Sequence, residues 1–207
     1  NFSRLMNYAM YGPKSPATNL LTEAELASMN PQELVDRIHN QNNYKHRILY
    51  YGPSSSKDLL ATIDQYHQVP ATLKDIPAGN EFSYLETPAT KVLVAPYEAK
   101  QIYMAQISNL DKKYDPAIEP TRELYNEYFG GGMNSIVFQE MRETRGLAYS
   151  AWAGIMPPSY LKYPYTIRTQ IATQNDKMID AVNTFNDIIN NMPESEAAFK
   201  LAKEGLI

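Results

Sequence analysis

Apolar positions along the chain fall into two periods, 3.6 and 2, which separate helix from strand. Thr22-Glu23-Ala24-Glu25 precedes Leu26 and Met29. A Thr cap with Glu three residues on predicts a reciprocal capping box and a short helix. Asn30-Pro31-Gln32-Glu33 repeats the logic, with Asn30 as cap, Pro31 in the first helical position, and Leu34, Val35 and Ile38 as the apolar stripe. His46-Arg47-Ile48-Leu49-Tyr50-Tyr51 is β-rich and closed by Gly52-Pro53, which predicts a strand with a hard stop. Ser54 to Ser56 can cap a third helix, with Leu59, Leu60, Ile63, Tyr66 and His67 on one buried face.

From Val69 to Thr90 the chain holds Pro70, Pro77, Gly79 and Pro88 without a convincing period, which reads as a linker. The expected organisation is 1–75 as part of one α+β domain, 76–90 as linker, and 91–207 as part of a second. Lys91 to Ala95 and Gln101 to Ile107 predict two buried strands paired antiparallel around Pro96 to Lys100. A helix opening at Pro120 carries Leu124, Tyr125, Tyr128 and Phe129 and must end at Gly130-Gly131-Gly132. An amphipathic helix comes next, Gly146 stops it, and a strand carrying Tyr149 leaves on the other side. Tyr163 to Thr173 alternates as a strand whose Pro164 sits at an edge or an end. The clearest helix runs from Met178 through Phe185 to Met192, with Asn175 as cap and Pro193 as stop. Without strict βαβ alternation, the fold class is α+β, a mostly antiparallel sheet packed by helices.

Composition narrows the function. The 207 residues are 43% hydrophobic and 20% charged, a globular balance. A net charge of −4 argues against a phosphate-backbone partner, so no nucleic acid is expected. There is no cysteine, which excludes disulfides, thiolate metal sites and a cysteine nucleophile. No apolar run approaches the roughly 18 residues of a membrane span, and Asn1 to Met6 is no signal peptide. The chain lacks an initiator Met and ends on Gly205-Leu206-Ile207 after a helical pattern, so a fragment of a longer protein is expected.

Three candidate sites can be weighed. His39, His46 and His67 offer no pair at the i, i+4 spacing that points two imidazoles at one ion, so no metal site is expected. The glycine triplet could cradle a phosphate at a helix start, but it lacks the Gly-Lys-Ser/Thr ending and comes after a helix; a sharp turn explains it better. Arg142, Arg145 and Tyr149 remain. On a 100° wheel Val137, Phe138, Met141 and Arg145 share one quarter, Arg142 lies at its edge, and Glu140 and Glu143 lie opposite. Arg145 can meet the carbonyls of the helix end. Arg142 can pair with a neighbouring Glu and Tyr149 can pack the core, and residue types alone do not choose between these roles and a functional pair.

The runs Tyr128-Phe129-Gly130-Gly131-Gly132-Met133-Asn134-Ser135, Phe138 to Glu143 and Arg145 to Ser150 resemble the pitrilysin/insulinase family of zinc metallopeptidases, in the half that does not carry the zinc. Tyr11-Gly12 through Gly52-Pro53 resembles the closing part of the preceding domain in long single-chain members. The resemblance implies zinc in the parent enzyme, held by an inverted His-x-x-Glu-His motif, and no cofactor in these 207 residues, where that motif is absent. It implies a zinc-bearing N-terminal half, on the same or a partner chain, closing with this one around a peptide substrate. It maps a substrate-binding Arg and Tyr, seven residues apart, onto Arg142 and Tyr149 and not Arg145. A phenol and a guanidinium can both donate to a peptide carbonyl and to the oxyanion formed when water attacks it. The expectation is a non-catalytic fragment of a peptidase; a structural or interaction subunit of the same fold is the alternative, and nucleotide binding at the glycine triplet a third. The absence of cysteine is compatible with the bacterial periplasm or cell envelope, where similar long-chain members are common.

Overall fold

A computed structural model describes residues 2–207. They form two compact units, one of residues 2–18 with 82–207 and the other of 19–81.

The smaller unit holds α2 (Glu23–Ser28), α3 (Pro31–Asn40) and α4 (Ser56–Tyr66), after α1 (Phe2–Tyr11) of the larger. Local chemistry sets their starts. The Thr22 hydroxyl accepts from the Glu25 N–H and the Glu25 carboxylate accepts from the Thr22 N–H, completing the box. Asn30 Oδ1 accepts from the Gln32 N–H with Pro31 behind it, and Ser55 caps α4. The β-rich run 46–51 is not a strand. Its neighbourhood offers one isolated parallel bridge, Tyr44 to Lys74, and Leu49 is 92% exposed. β propensity expresses packing against neighbouring strands, and this run has none. The apolar face of α4 is only partly covered, with Leu59, Ile63 and His67 half-buried and Leu60 and Tyr66 exposed.

The larger unit is a three-stranded antiparallel sheet packed by helices. Its strands are β1 (Gln101–Lys113), β2 (Ser150–Met156) and β3 (Pro164–Gln174), in the order β1-β3-β2. The fold class is thus α+β. β1 pairs with β3, from Gln101 opposite Gln174 to Asn109 opposite Thr166, and not with 91–95. That segment forms no strand, Val92 being 82% and Val94 78% exposed, so the expected buried hairpin is replaced by a long-range pairing. Pro164, which has no N–H to give, stands at the very start of the central strand.

Alternation places Thr169, Ile171 and Thr173 of β3 and Ala153 of β2 on the face that meets α7 (Met178–Asn190) and the segment 127–144. Phe129, Val137, Met141, Ile171, Ala181, Phe185 and Ile188 make the core there. α7 comes after a 3₁₀ turn, Asn175–Lys177; Asn175 does not cap it, its Nδ2 donating instead to the Ala99 carbonyl at 3.4 Å. α8 (Glu196–Gly205) closes the chain, capped by Ser195. At the other end α1 brings Tyr11 onto Tyr84, ring centroids 5.0 Å apart, and burial with the bond to Tyr84 pushes the Tyr11 phenol up to about 12.

α5 (Glu119–Asn126) ties the β2 edge. Asn126 Oδ1 accepts from the Ile155 N–H at 2.8 Å and its Nδ2 donates to the Ile155 carbonyl at 2.9 Å, so a side-chain amide takes the place of a neighbouring strand. At the start of α5, Arg122 Nη2 donates to Glu119 Oε2 at 2.8 Å and the Tyr165 hydroxyl donates to Glu119 Oε1 at 2.6 Å. These two donors hold the Glu119 carboxyl below its ordinary value of 4.5. A carboxyl depressed in the folded state stabilises above its unfolded value, and that contribution is lost as pH falls through the folded one. Between neutrality and acid, Tm should therefore fall less steeply for Glu119→Gln than for the native chain. Parallel Tm-against-pH curves for the two would show that Glu119 carries none of the acid sensitivity.

Candidate functional site

The segment bearing Arg142 is launched by Ser135. Its buried hydroxyl donates to the Gly132 carbonyl at 2.6 Å and accepts from the Phe138 N–H at 3.4 Å. Ahead of it the chain leaves α5 as a π-helix, Glu127–Gly131, and Gly132 is extended. The glycine triplet is not itself the expected turn: Gly130 and Gly131 close the π-helix, the turn comes at Met133 and Asn134, and Gly130 has a packing duty. A Cβ on it would lie 2.4 Å from the Ala153 carbonyl oxygen, so only glycine lets this helix rest on β2.

After one α turn, α6 (Ile136–Phe138), the segment widens into a second π-helix, Gln139–Thr144. Bonding i to i+5 rather than i to i+4, it departs from the 100° wheel. Val137 and Met141 are buried as expected. Arg145 does not join them. It is rotated outward, with Nε 3.4 Å from Glu140 Oε2, and neither shares the apolar face nor serves the helix-end carbonyls.

Arg142 stands with 46% of its side chain exposed. Its guanidinium carbon lies 5.0 Å from the Phe138 ring centroid and 5.8 Å from that of Tyr149. Its Nε is 3.6 Å from Glu143 Oε1, so an ion pair with a neighbouring Glu coexists with the contact to Tyr149.

Gly146 makes the encounter possible. At φ +57° it adopts the left-handed conformation that ends helices, and its N–H donates to the Arg142 carbonyl at 3.1 Å. The Leu147 and Ala148 N–H groups then both reach the Met141 carbonyl, at 2.8 and 3.1 Å. The chain reverses, and the Tyr149 N–H donates to the Ala172 carbonyl at 2.8 Å, fixing Tyr149 immediately before β2. Its side chain is not in the core: Tyr149 is 71% exposed. Seven residues of sequence become two donors facing solvent across one turn.

Beside Tyr149 lies a cleft of about 210 Å³, lined by Gln101, Gly146, Tyr149, Thr173, Gln174 and Lys177 among others. No residue lining it is acidic.

The structure also joins two histidines that their spacing kept apart. In the smaller unit His46 Nε2 and His67 Nε2 are 2.7 Å apart, and His46 Nδ1 is 2.6 Å from the Tyr44 carbonyl. A hydrogen on His46 Nδ1 leaves its Nε2 to accept from His67. Their separation in sequence, 21 residues, gave no signal of this contact. Among the described residues no group of three or more His, Asp or Glu could hold a metal, and no helix is long and apolar enough to cross a membrane.

The site thus stands on an antiparallel α+β domain, with Arg142 and Tyr149 exposed on one turn. A family profile described as the peptidase M16 inactive domain matches residues 47–206. The chain belongs to that family, in agreement with the resemblance read from the sequence. Among solved structures, the peptidase M16 inactive domain from Pseudomonas fluorescens superposes with a TM-score of 0.60 at 19% identity, covering 99% of this chain and 50% of that one. A conserved protein from Enterococcus faecalis gives 0.56 at 18%, covering 99% and 48%. A protease from Helicobacter pylori gives 0.56 at 11%, covering 89% and 45%. At these identities the likeness is one of fold, and the chain spans about half the length of the structures it matches. Comparison with curated protein sequences gave no match.

Proposed function

We propose that this chain is the substrate-facing, non-catalytic part of an M16-type zinc peptidase, and that Arg142 and Tyr149 hold the peptide carbonyl and the oxyanion that develops from it. The observation that carries the reading is the position of the pair. A guanidinium and a phenol stand together on one exposed turn, 5.8 Å from guanidinium carbon to ring centroid. The zinc and its activated water belong to a second half, on the same or a partner chain, that closes over this surface. In the same reading residues 1–75 complete the preceding domain, 76–90 link, and 91–207 begin the domain that carries the pair.

Nothing in Arg142 or Tyr149 can activate water, so the purified chain should show no metal-dependent peptide hydrolysis. Turnover of a quenched fluorescent peptide library with added zinc measures this. Cleavage that a chelator abolishes, and that co-purifies with the chain through successive columns, would overturn the non-catalytic assignment. The contribution of the pair itself is measured by substitution at each position in the longer enzyme.

A further inference from the structure

The cleft next to Tyr149 has a chemical bias of its own. Its floor is the Gly146 turn, its wall the paired ends of β1 and β3 at Gln101 and Gln174, and its rim the half-buried Lys177 at the foot of α7. The Lys177 ammonium donates to the Gly146 carbonyl at 3.1 Å. That bond uses one of its three N–H groups and holds the charge at the turn. Among the described residues no carboxylate lies within ion-pair distance of Lys177, and none lines the cleft. The other polar groups are amides and a hydroxyl: Gln101 and Gln174, and Thr173, whose own hydrogen is given to the Leu147 carbonyl. An oriented cation without a counter-ion, flanked by amide donors, is complementary to a carboxylate.

We infer that this cleft is a subsite for a carboxylate of the bound peptide, with Lys177 as the residue that selects it. The inference rests on the proposed role of Arg142 and Tyr149, because it takes the Tyr149 phenol as the point where the peptide backbone passes. From there an acidic side chain, or the peptide's own C-terminal carboxylate, can turn into the cleft. About 210 Å³ accommodates either. Lys177 is then a specificity residue and takes no part in bond cleavage.

The test uses the whole 207-residue chain and peptides identical except at one position. One set carries Glu or Gln at a central position with an amidated C-terminus; a second carries Gln there with a free or amidated C-terminus. Affinities come from chemical-shift titrations that track the Gly146, Tyr149 and Lys177 amides. The native chain should prefer one carboxylate-bearing peptide over its neutral counterpart by about fivefold, the scale of a partly exposed ion pair, and the preference should shrink in high salt. The set that shows the preference identifies the source of the carboxylate. Lys177→Gln should abolish the preference while leaving neutral-peptide binding unchanged, and Lys177→Arg should retain it. Equal binding of acidic and neutral peptides by the native chain, or a preference that survives in Lys177→Gln, overturns the subsite. Weakening of neutral-peptide binding by about threefold on Arg142→Gln together with Tyr149→Phe, the scale of a ground-state contact, supports the pair. Binding untouched by those two changes, with the Lys177 preference intact, refutes the pair and leaves the carboxylate site standing. Absence of any binding by the native chain refutes both.

Discussion

In the zinc peptidase proposed above, Tyr149→Phe should lower kcat about 100-fold and leave KM within about threefold, as loss of one oxyanion donor does. The substitution suits the geometry. Phenylalanine keeps the ring that the Arg142 guanidinium carbon faces at 5.8 Å and removes only the O–H. Since Tyr149 is 71% exposed and enters no core contact, folding should be untouched, which an unchanged Tm verifies. A carbonyl oxygen in the ground state is a weak acceptor, and the same oxygen carries nearly full charge once water has added; the phenol therefore contributes mainly at the transition state. Arg142→Gln should lose activity to a similar degree. Arg142→Lys should recover only part, because an ammonium cannot reproduce the planar fork of a guanidinium. A kcat for Tyr149→Phe equal to that of the native enzyme would take the phenol out of the mechanism.

Gly130→Ala should destabilise the chain by about 3 kcal/mol, near the upper end for overpacking. The added methyl would sit 2.4 Å from the Ala153 carbonyl oxygen, 2.6 Å from its nitrogen and 2.9 Å from its Cα. All three are backbone atoms of a paired strand, with Ala153 opposite Thr169, so no side-chain rotation can make room. The π-helix must lift from β2, loosening Phe129 and Met141 in the core. Gly132→Ala is the control: its Cβ would meet only the end of the Glu127 side chain, at 3.0 Å, which can swing aside. Urea denaturation of both variants decides it, and equal midpoints would show that the Gly130 contact relaxes cheaply.

These two positions show how unevenly the sequence displays its structure. Helix starts are legible because a cap is a local transaction. Thr22 with Glu25, Asn30 with Pro31, and a serine before α4 can be read within four residues and are found bonded. α7 is legible because its apolar period is long, although Asn175 turned to Ala99 rather than to the helix. Strands fare worse. The runs at 46–51 and 91–95 have the composition of strands, but a strand exists only where a partner's edge is presented, and their residues carry no mark of having none. β1 found its partner about sixty residues away, across α5 and both π-helices. α1 was missed altogether, although Phe2, Leu5, Met6, Ala9 and Met10 fall at the three-four spacing of an amphipathic helix.

The site was legible in part. The amphipathic segment and its Gly146 stop were evident from residue types. The choice of Arg142 over Arg145 came from the seven-residue spacing of a related family, because the helical wheel favoured neither, and the wheel failed here for the reason that the segment is π-helical. The cleft at Lys177 left no local trace, being assembled from three distant stretches of chain. The His46 and His67 contact is of the same kind.

The π-helix of 139–144 has one more implication, for how such a surface can change over time. Met141 is fixed by the core, whereas its neighbour Arg142 points out of it, toward Phe138 and Tyr149, by the phase of the backbone. Losing a single residue from this bulge would restore the ordinary turn and rotate the downstream residues by about 100°. Substitutions can tune the site gradually, whereas a one-codon deletion would silence it at a stroke and leave the packed interior nearly as it was. The widened turn is thus a switch for lineages rather than for molecules.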